Sequence, residues 1–462
     1  MSTSEGQVDD VANVGIFNRV MQALARPLVA LTQRYMPDAF IFAILLSALT
    51  FVLAIVLAEA SPVEAVDAWG NGFWKLQTFA AQMAMILITG LVLAQTPVVR
   101  RGILAIVELA TTPARAYALA YLVPAFAGLF SWGMCLIVGG VVARETANSC
   151  LRRGITVHYP LLVAAAYSGM ITWHQGLSGS VPLKIAETNH FLIDKMGVVP
   201  FSETVFSYMS LVIVFTLLIT VPFLLLLMGP PKGECVAIAK ELKVEEPAST
   251  QDDQEKTPAT ILNNTRAFNF VIVAGILAYL WLHFIERNGG INTNIINLIF
   301  LSLGLILTRS PVHYMELALA EGRGIAAIIL QFPFYAGIMG IMTGTGLATF
   351  LAAWFVSFST AETLPFWSMI SGGLINLFVP SGGGQWAVQG PIMMEAAQTL
   401  GADLPRVAMG VAIGDQWTNM LQPFWAIPVL AIAGLGVRDI MGYTAVVFLW
   451  SGLVFSFGLL YL

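Results

Sequence analysis

Charge is what this sequence has least of. Only 11% of its 462 residues are Asp, Glu, Lys or Arg, whereas a soluble globular chain carries about a quarter. Set beside 57% hydrophobic residues, a mean hydropathy of +0.79 and repeated apolar runs of about 20 residues, this deficit reads as a polytopic, all-α membrane protein. The formal charge of −5 is small and lies mostly in loops, so it indicates no nucleic-acid partner. Cysteine is scarce as well. Cys135, Cys150 and Cys235 show no CxxC spacing, and five histidines are scattered singly, which argues against a disulfide framework or a metal cage. The chain has no GxxxxGK[ST] phosphate loop, so an ATP-driven pump is not expected. No nucleophile–base pair recurs in the apolar segments, so an enzyme with catalytic residues or an organic cofactor is not expected either. Residues 1–11 are polar and acidic, without the basic n-region of a signal peptide.

What is present is a succession of apolar stretches. Residues 14–34 carry Ile16, Phe17, Val20, Met21, Leu24, Leu28 and Leu31 at helical spacing, with Arg19, Arg26 and Arg34 among them; this predicts an interfacial or cytoplasmic amphipathic segment over residues 1–35. Spans are expected at 38–58, 76–95, 161–183, 205–227, 268–284, 294–307, 324–345 and 440–462, with an interfacial piece at 346–357. Residues 116–143 are apolar but interrupted by Gly128-Leu129-Phe130-Ser131-Trp132-Gly133. The two arms, about a dozen residues each, are too short to span, which predicts a re-entrant hairpin. A second hairpin is expected at about 366–397. Residues 229–266 hold the one long polar run, read as a solvated cytoplasmic linker between repeats at 36–228 and 267–462. Lys and Arg in the short loops put the N-terminus inside and the C-terminus outside, with about nine full spans and two hairpins.

The two halves echo each other. Ser131 and Ser381 are 250 positions apart (381 − 131 = 250), and at that offset Gly133, Val138, Gly140, Glu145 and Ala147 meet Gly383, Val388, Gly390, Glu395 and Ala397. Pro160 and Gly169 meet Pro405 and Gly414 at an offset of 245 (405 − 160 = 245). The extra span at 268–284 makes the second unit enter from the opposite face, so the expected layout is an inverted repeat with its site where broken helices meet.

Two breaks fall in the second half. Pro380-Ser381-Gly382-Gly383-Gly384-Gln385-Trp386 reads as a loop, and Gly414-Asp415-Gln416-Trp417-Thr418-Asn419 interrupts an otherwise apolar helix. The first half answers with Trp173-His174-Gln175-Gly176-Leu177-Ser178-Gly179-Ser180. Breaks in a membrane helix leave backbone groups unpaired and persist where they line a site. Half-helix N-termini offer free N–H groups and about half a positive charge, enough to hold a carboxylate without Lys or Arg, and no Lys or Arg lies inside these breaks. Candidate substrate-binding residues are Ser131, Gly133, His174, Ser178, Ser180, Ser381, Gly382, Gly383, Gly384, Gln385, Thr418 and Asn419. Trp132, Trp173, Trp386 and Trp417 could wall an apolar end, which suits a small monocarboxylate in a lipid bilayer. A carboxylate inside a span is costly and usually functional, so Asp415 is the candidate for cation or proton coupling, the alternative being an Asp that caps the half-helix after it. His174 is either a proton acceptor or a packing histidine. Isolated glycines such as Gly169 are read as packing positions, Trp74 and Trp367 as interface anchors, and Glu145 and Glu395 as structural.

At VPSGGGQWAVQGP, GDQWTNMLQPFWAIP and GLSGSVPL the chain resembles the bacterial short-chain fatty acid transporter family, from about Met36 onward. That family is similar to the wider ion-transporter superfamily. The resemblance implies paired re-entrant hairpins, an elevator-type mechanism, and inner-membrane symport of butyrate- or acetoacetate-like acids with H⁺ or Na⁺ as a homodimer. The tips here read Ser131-Trp132-Gly133 and Ser381-Gly382-Gly383 where relatives in the superfamily carry Ser-Asn-Thr, so their sodium sites are not transferred. The alternative is a carrier of dicarboxylates or other small organic or inorganic anions, for which a site without fixed cations is poorly suited.

Overall fold

A computed structural model describes residues 39–230, 232–242, 257–320, 322–376, 381–422 and 425–462. The amphipathic segment at 14–34, the middle of the linker at 243–256 and Pro380 lie outside the described residues. Among those described, regular structure is helical throughout, without strands. Numbering helices of eight residues or more, the first half runs α1 (Ala39–Leu57), α2 (Pro62–Gly72), α3 (Gln77–Gln95), α4 (Pro97–Val107), α5 (Pro113–Phe130), α6 (Trp132–Arg152), α7 (Tyr159–Ser168) and α8 (Tyr208–Leu227). The second runs α9 (Ala267–Trp281), α10 (Thr293–Leu307), α11 (Pro311–Ala320), α12 (Gly322–Gly344), α13 (Leu347–Phe358), α14 (Leu364–Asn376), α15 (Gly382–Leu400), α16 (Leu404–Thr418), α17 (Ala426–Ala433) and α18 (Val437–Tyr461).

Four described helices are long and apolar enough to cross a membrane: Gln77–Gln95, Tyr208–Leu227, Ala267–Glu286 and Val437–Tyr461. The number rises to six if each bent pair counts as one span, α10 with α11 at 116° and the Ile329–Gly344 part of α12 with α13 at 76°. Fewer spans than the nine expected pass this test because breaks divide several of them. The stretch 161–183 becomes α7, a 3-10 helix at Gly169–Gln175 and a short helix at Ser180–Ile185. The expected interfacial piece at 346–357 is α13, which starts at the bend where Gly346 takes φ +77°.

The expected hairpins are helix pairs with longer arms than predicted. α5 and α6 have 18 and 21 residues, not about a dozen, since Ser131 alone leaves the helical region between them (φ −148°, ψ 123°). The interruption at 128–133 is thus a turn of one residue rather than a loop. α14 and α15 have 13 and 19 residues. The second break also moves: Gly414 to Thr418 are helical within α16, so the chain opens only from Asn419.

The ends of these helices are tied to different parts of the molecule. At the end of α6, Arg153 pairs with Glu108, and the Asn148 amide bonds both the N–H and the C=O of Leu242 at 2.9 and 3.1 Å. Tyr159 N–H donates to Val236 C=O, and Val236 N–H to His158 Nδ1. The described start of the linker is therefore strapped to the helix bundle rather than solvated along its length, because its backbone finds partners there. At the end of α15, Glu395 meets Lys195 at 2.7 Å and Gln398 donates to the Lys195 carbonyl. α8 separates the Lys195 loop from the linker by about 30 Å of helix.

Small residues let α2 and α12 touch backbone to backbone. A Cβ on Gly72 would stand 2.7 Å from Gly340 Cα, and one on Gly337 2.5 Å from Trp69 Nε1. Gly340→Val is expected to cost about 1–3 kcal/mol through overpacking, read as a lower melting temperature of the detergent-purified protein. Gly275→Ala, with nothing within 4 Å of the added Cβ, keeps or raises it; equal losses for both variants would refute the packing account.

Candidate functional site

The two tips are built alike. Ser131 caps α6, its Oγ accepting from Met134 N–H, and Ser381 caps α15 at matching dihedrals (φ −156°, ψ 112°), its Oγ accepting from Gly384 N–H. In each, the hydroxyl takes one of the N–H groups left free in the first turn and the backbone offers the others. Gly382, Gly383 and Gly384 are not a loop, as the sequence suggested, but the first turn of α15. Their missing side chains let the tip seat itself: a Cβ on Gly382 would lie 2.7 Å from His174 Nε2 and 3.0 Å from Trp173, one on Gly383 2.9 Å from Phe79, and one on Gly384 2.5 Å from Tyr335. Gly133 at the other tip lies against Leu87 in the same way.

Both tips close on one segment, Trp173 to Ser178. Trp132 N–H donates to Ser178 Oγ at 2.8 Å, and the Trp132 and Trp173 rings lie 6.1 Å apart, while Gly382 packs on Trp173 and His174 from α15. This segment is a 3-10 helix and turn because Gly169, Gly176 and Gly179 carry it past neighbours with no room for a Cβ. At Gly169 a Cβ would fall 2.7 Å from Ala125 N, which makes Gly169 the packing position expected. A Cβ on its counterpart Gly414 would fall 2.3 Å from Met369 O and 2.8 Å from Gly373 N on α14.

The chemistry concentrates where this segment meets α16. His174 Nε2 and Asp415 Oδ2 are 3.0 Å apart, with side chains 0% and 3% exposed. Asp415 sits inside α16 rather than before a helix, so it caps nothing. His174 N–H donates to Gln416 Oε1 at 2.8 Å, and Gln416 Nε2 to Gln175 Oε1 at 2.7 Å. Beside them, Asn376 Nδ2 faces Asp415 C=O, Thr418 Oγ1 and Asn419 Oδ1 at 2.8, 2.9 and 2.9 Å. Tyr167 O–H donates to Asn419 C=O, and Gln422 Nε2 to Asn376 C=O. Several buried polar atoms here have no partner among the described residues: Trp132 Nε1, Trp173 Nε1, His174 Nδ1, Gln175 Nε2, Asp415 Oδ1 and Asn419 Nδ2. Each such group costs about 1–3 kcal/mol, which marks the place where something else completes the bonding.

The structure therefore brings together His174, Ser178, Ser381, Gly382, Thr418, Asn419 and Asp415. Ser131 and Gly133 reach the cluster through Trp132, and Ser180 is buried at the start of the short helix after it. Gln385 faces away, bonding Gln389 on its own helix and the Val411 carbonyl of α16. Trp386 is fully buried. Trp417 stacks on Phe448 at 4.3 Å, with its N–H on the Phe448 carbonyl, so it packs α16 onto α18. Trp74 is exposed. Glu145 and Glu395 are paired with Arg144 and Lys195. Asn376, Gln416, Gln175 and Tyr167 were missed. Gln175 and Gln416 lay within the two breaks but were given no role, since only their pairing 241 positions apart reveals it. Lys184 is buried as well, 2.6 Å from Glu187 and 4.9 Å from the Phe79 ring centre.

Solved structures place this architecture. The chain aligns along 92% of its length with 97% of the Alcanivorax borkumensis YdaH transporter at TM-score 0.56 and 12% identity. It aligns along 94% with 97% of Neisseria gonorrhoeae MtrF, described as belonging to a class of antimetabolite efflux pumps, at TM-score 0.56 and 14% identity. The fold is thus one found in transporters. A family model described as short chain fatty acid transporter matches residues 20–462, and this chain belongs to that family. It is 40% identical over 437 residues (94% of the chain, 98% of the relative) to a protein of Escherichia coli (strain K12) named for short-chain fatty acid transport. It is 38% identical over 451 residues (96% and 100%) to one from Haemophilus influenzae named in the same way. The protein is a membrane transporter and not an enzyme.

Gly382→Ala puts a methyl group 2.7 Å from His174 Nε2, so α15 has to back away from the break. We expect a several-fold loss of transport with the melting temperature nearly kept, since a tip shifts more easily than a core. Gly401→Ala at the far end of α15, with nothing within 4 Å but φ +67°, is expected to do the reverse, lowering stability by about 1 kcal/mol and sparing transport.

Proposed function

We propose that the protein is a secondary active carrier importing short-chain monocarboxylates, of the butyrate and acetoacetate kind, across the bacterial inner membrane by symport with protons. The buried His174–Asp415 pair carries this reading. An ionised Asp415 beside a neutral His174 leaves one negative charge in a dry interior, where a lone charge is strongly disfavoured. With Asp415 Oδ2 accepting from Nε2–H, His174 Nδ1 is left as an unoccupied acceptor. A proton taken there neutralises the pair. A monocarboxylate bound beside it then restores the charge of the empty, unprotonated site, so loaded and empty carrier cross the membrane carrying the same charge. A dianion would break that balance.

A second reading replaces the proton with sodium. Three oxygens surround Asn376 Nδ2 at 2.8–2.9 Å, but an amide nitrogen has only two hydrogens. Turning that amide would point four oxygens at one place, a donor set suited to a hard cation.

The matched caps at Ser131 and Ser381, and the anchoring of α6 by the linker and α15 by the Lys195 loop, support an inverted repeat whose helix pairs act as re-entrant hairpins. We take transport to be an elevator-type displacement of the unit holding both tips, in a homodimer with cytoplasmic N-terminus and periplasmic C-terminus.

The test is uptake of labelled butyrate and acetoacetate into proteoliposomes with pH and sodium gradients imposed independently. Uptake driven by an inward proton gradient, and uncoupled from it in Asp415→Asn, is expected. Stimulation by sodium alone selects the second reading, and no uptake under either gradient rejects both. Ser381→Ala and Asn419→Ala are expected to raise KM with ion dependence unchanged.

A further inference from the structure

We propose that the carboxylate of the transported acid is held by two uncharged donors of the first break, the Gln175 side-chain amide and the Trp173 indole N–H, and that Gln416 is a positioning residue that fixes which way the Gln175 amide faces. This rests on the monocarboxylate reading above.

The orientation follows from a backbone group that has no choice. His174 N–H can only donate, so the Gln416 atom 2.8 Å from it is the carbonyl oxygen. Gln416 must then present its NH2 to Gln175, and the Gln175 atom 2.7 Å away must be an acceptor. That leaves Gln175 Nε2 as the free end, and it has no partner among the described residues although the residue is 3% exposed. Trp173 Nε1, in a residue 5% exposed, also has none. An indole N–H is a donor and nothing else, so neither a proton nor a metal cation satisfies it. What completes this end of the site has to be an acceptor. The same segment receives the N-terminus of α15, where Gly382 packs on Trp173 and His174, so a second set of donors converges there.

Neutral donors also set selectivity. They bind a carboxylate without contributing charge, leaving the counter-charge to the proton or ion that travels with it. A fixed Lys or Arg here would hold the anion when no ion had bound and uncouple the two.

The experiment is butyrate uptake in proteoliposomes, measured as KM and Vmax separately, on the full chain. Gln175→Met keeps the length and removes the donor; Trp173→Phe keeps a ring and removes the N–H. Each is expected to raise KM by about tenfold or more, the scale of one hydrogen bond to a charged group, with Vmax and proton dependence preserved. Gln416→Leu is expected to raise KM alone but to add little to Gln175→Met, because it acts through that amide. Folded, transporting Gln175→Met and Trp173→Phe with unchanged KM overturn the proposal, and full additivity of Gln416→Leu with Gln175→Met overturns the positioning role. If either donor variant fails to fold, the other decides. A wild-type chain that carries no butyrate rejects the monocarboxylate reading itself, whereas wild-type uptake with insensitive variants rejects only this inference.

Discussion

The contact between the 3-10 segment at 169–175 and α16 is where the two halves of the chain depend on each other. His174 reaches Asp415 with its ring and Gln416 with its backbone N–H, and Gln175 continues the chain of bonds. All four residues are buried, so each bond forms where water cannot substitute and an unpaired group is expensive. Opening α7 into a 3-10 turn frees the His174 N–H that a continuous helix would have used internally. The break costs helix bonds and supplies the only kind of backbone donor that can cross to another helix.

Around that contact the same device is used twice. A serine caps a long helix, a glycine in its first turn packs closely on a neighbour (Gly133 on Leu87, Gly382 on His174), and the tip meets the broken segment. Glycine is needed at Gly382–Gly384 for space rather than for dihedral freedom, since these residues are helical and their neighbours His174, Phe79 and Tyr335 stand where a Cβ would be. Two helix N-termini directed at one segment give an anion-attracting environment without fixed cations. The polar atoms left there without partners among the described residues include donors on Trp132, Trp173, Gln175 and Asn419, and acceptors on His174, Asn376, Asp415 and Gln422. Donors and acceptors standing open side by side suit an anion that arrives with a cation or proton.

Much of this was legible in the chain before any coordinates. Span positions for α3, α8, α9 and α18 follow from apolar length, because hydrocarbon demands about 20 apolar residues per crossing whatever the fold. Ser131 and Ser381 stood out by the offset of 250, and both proved to be N-caps. The errors had a common cause. Polar and glycine runs were read as loops, yet Gly382–Gly384 and Gly414–Thr418 are helical, because tertiary packing can satisfy in a helix what composition alone assigns to a turn. Lys184 shows the same limit: its burial is set by Glu187 and Phe79, and Phe79 is not visible as a partner in the linear pattern.

The sequence by itself determined that the chain crosses a membrane, that its two halves carry matching serine–glycine positions 250 residues apart, and that Asp415 and His174 are the groups worth watching. Those conclusions rest on hydropathy, spacing and the cost of a charge in hydrocarbon, which are local properties of the chain. Only the tertiary structure decided that His174 and Asp415 touch, that Gln416 orients Gln175, and that Asn376 gathers three oxygens. Each of those joins residues distant in the chain, and hydrogen-bond partners chosen by distance and angle leave no periodic trace in composition.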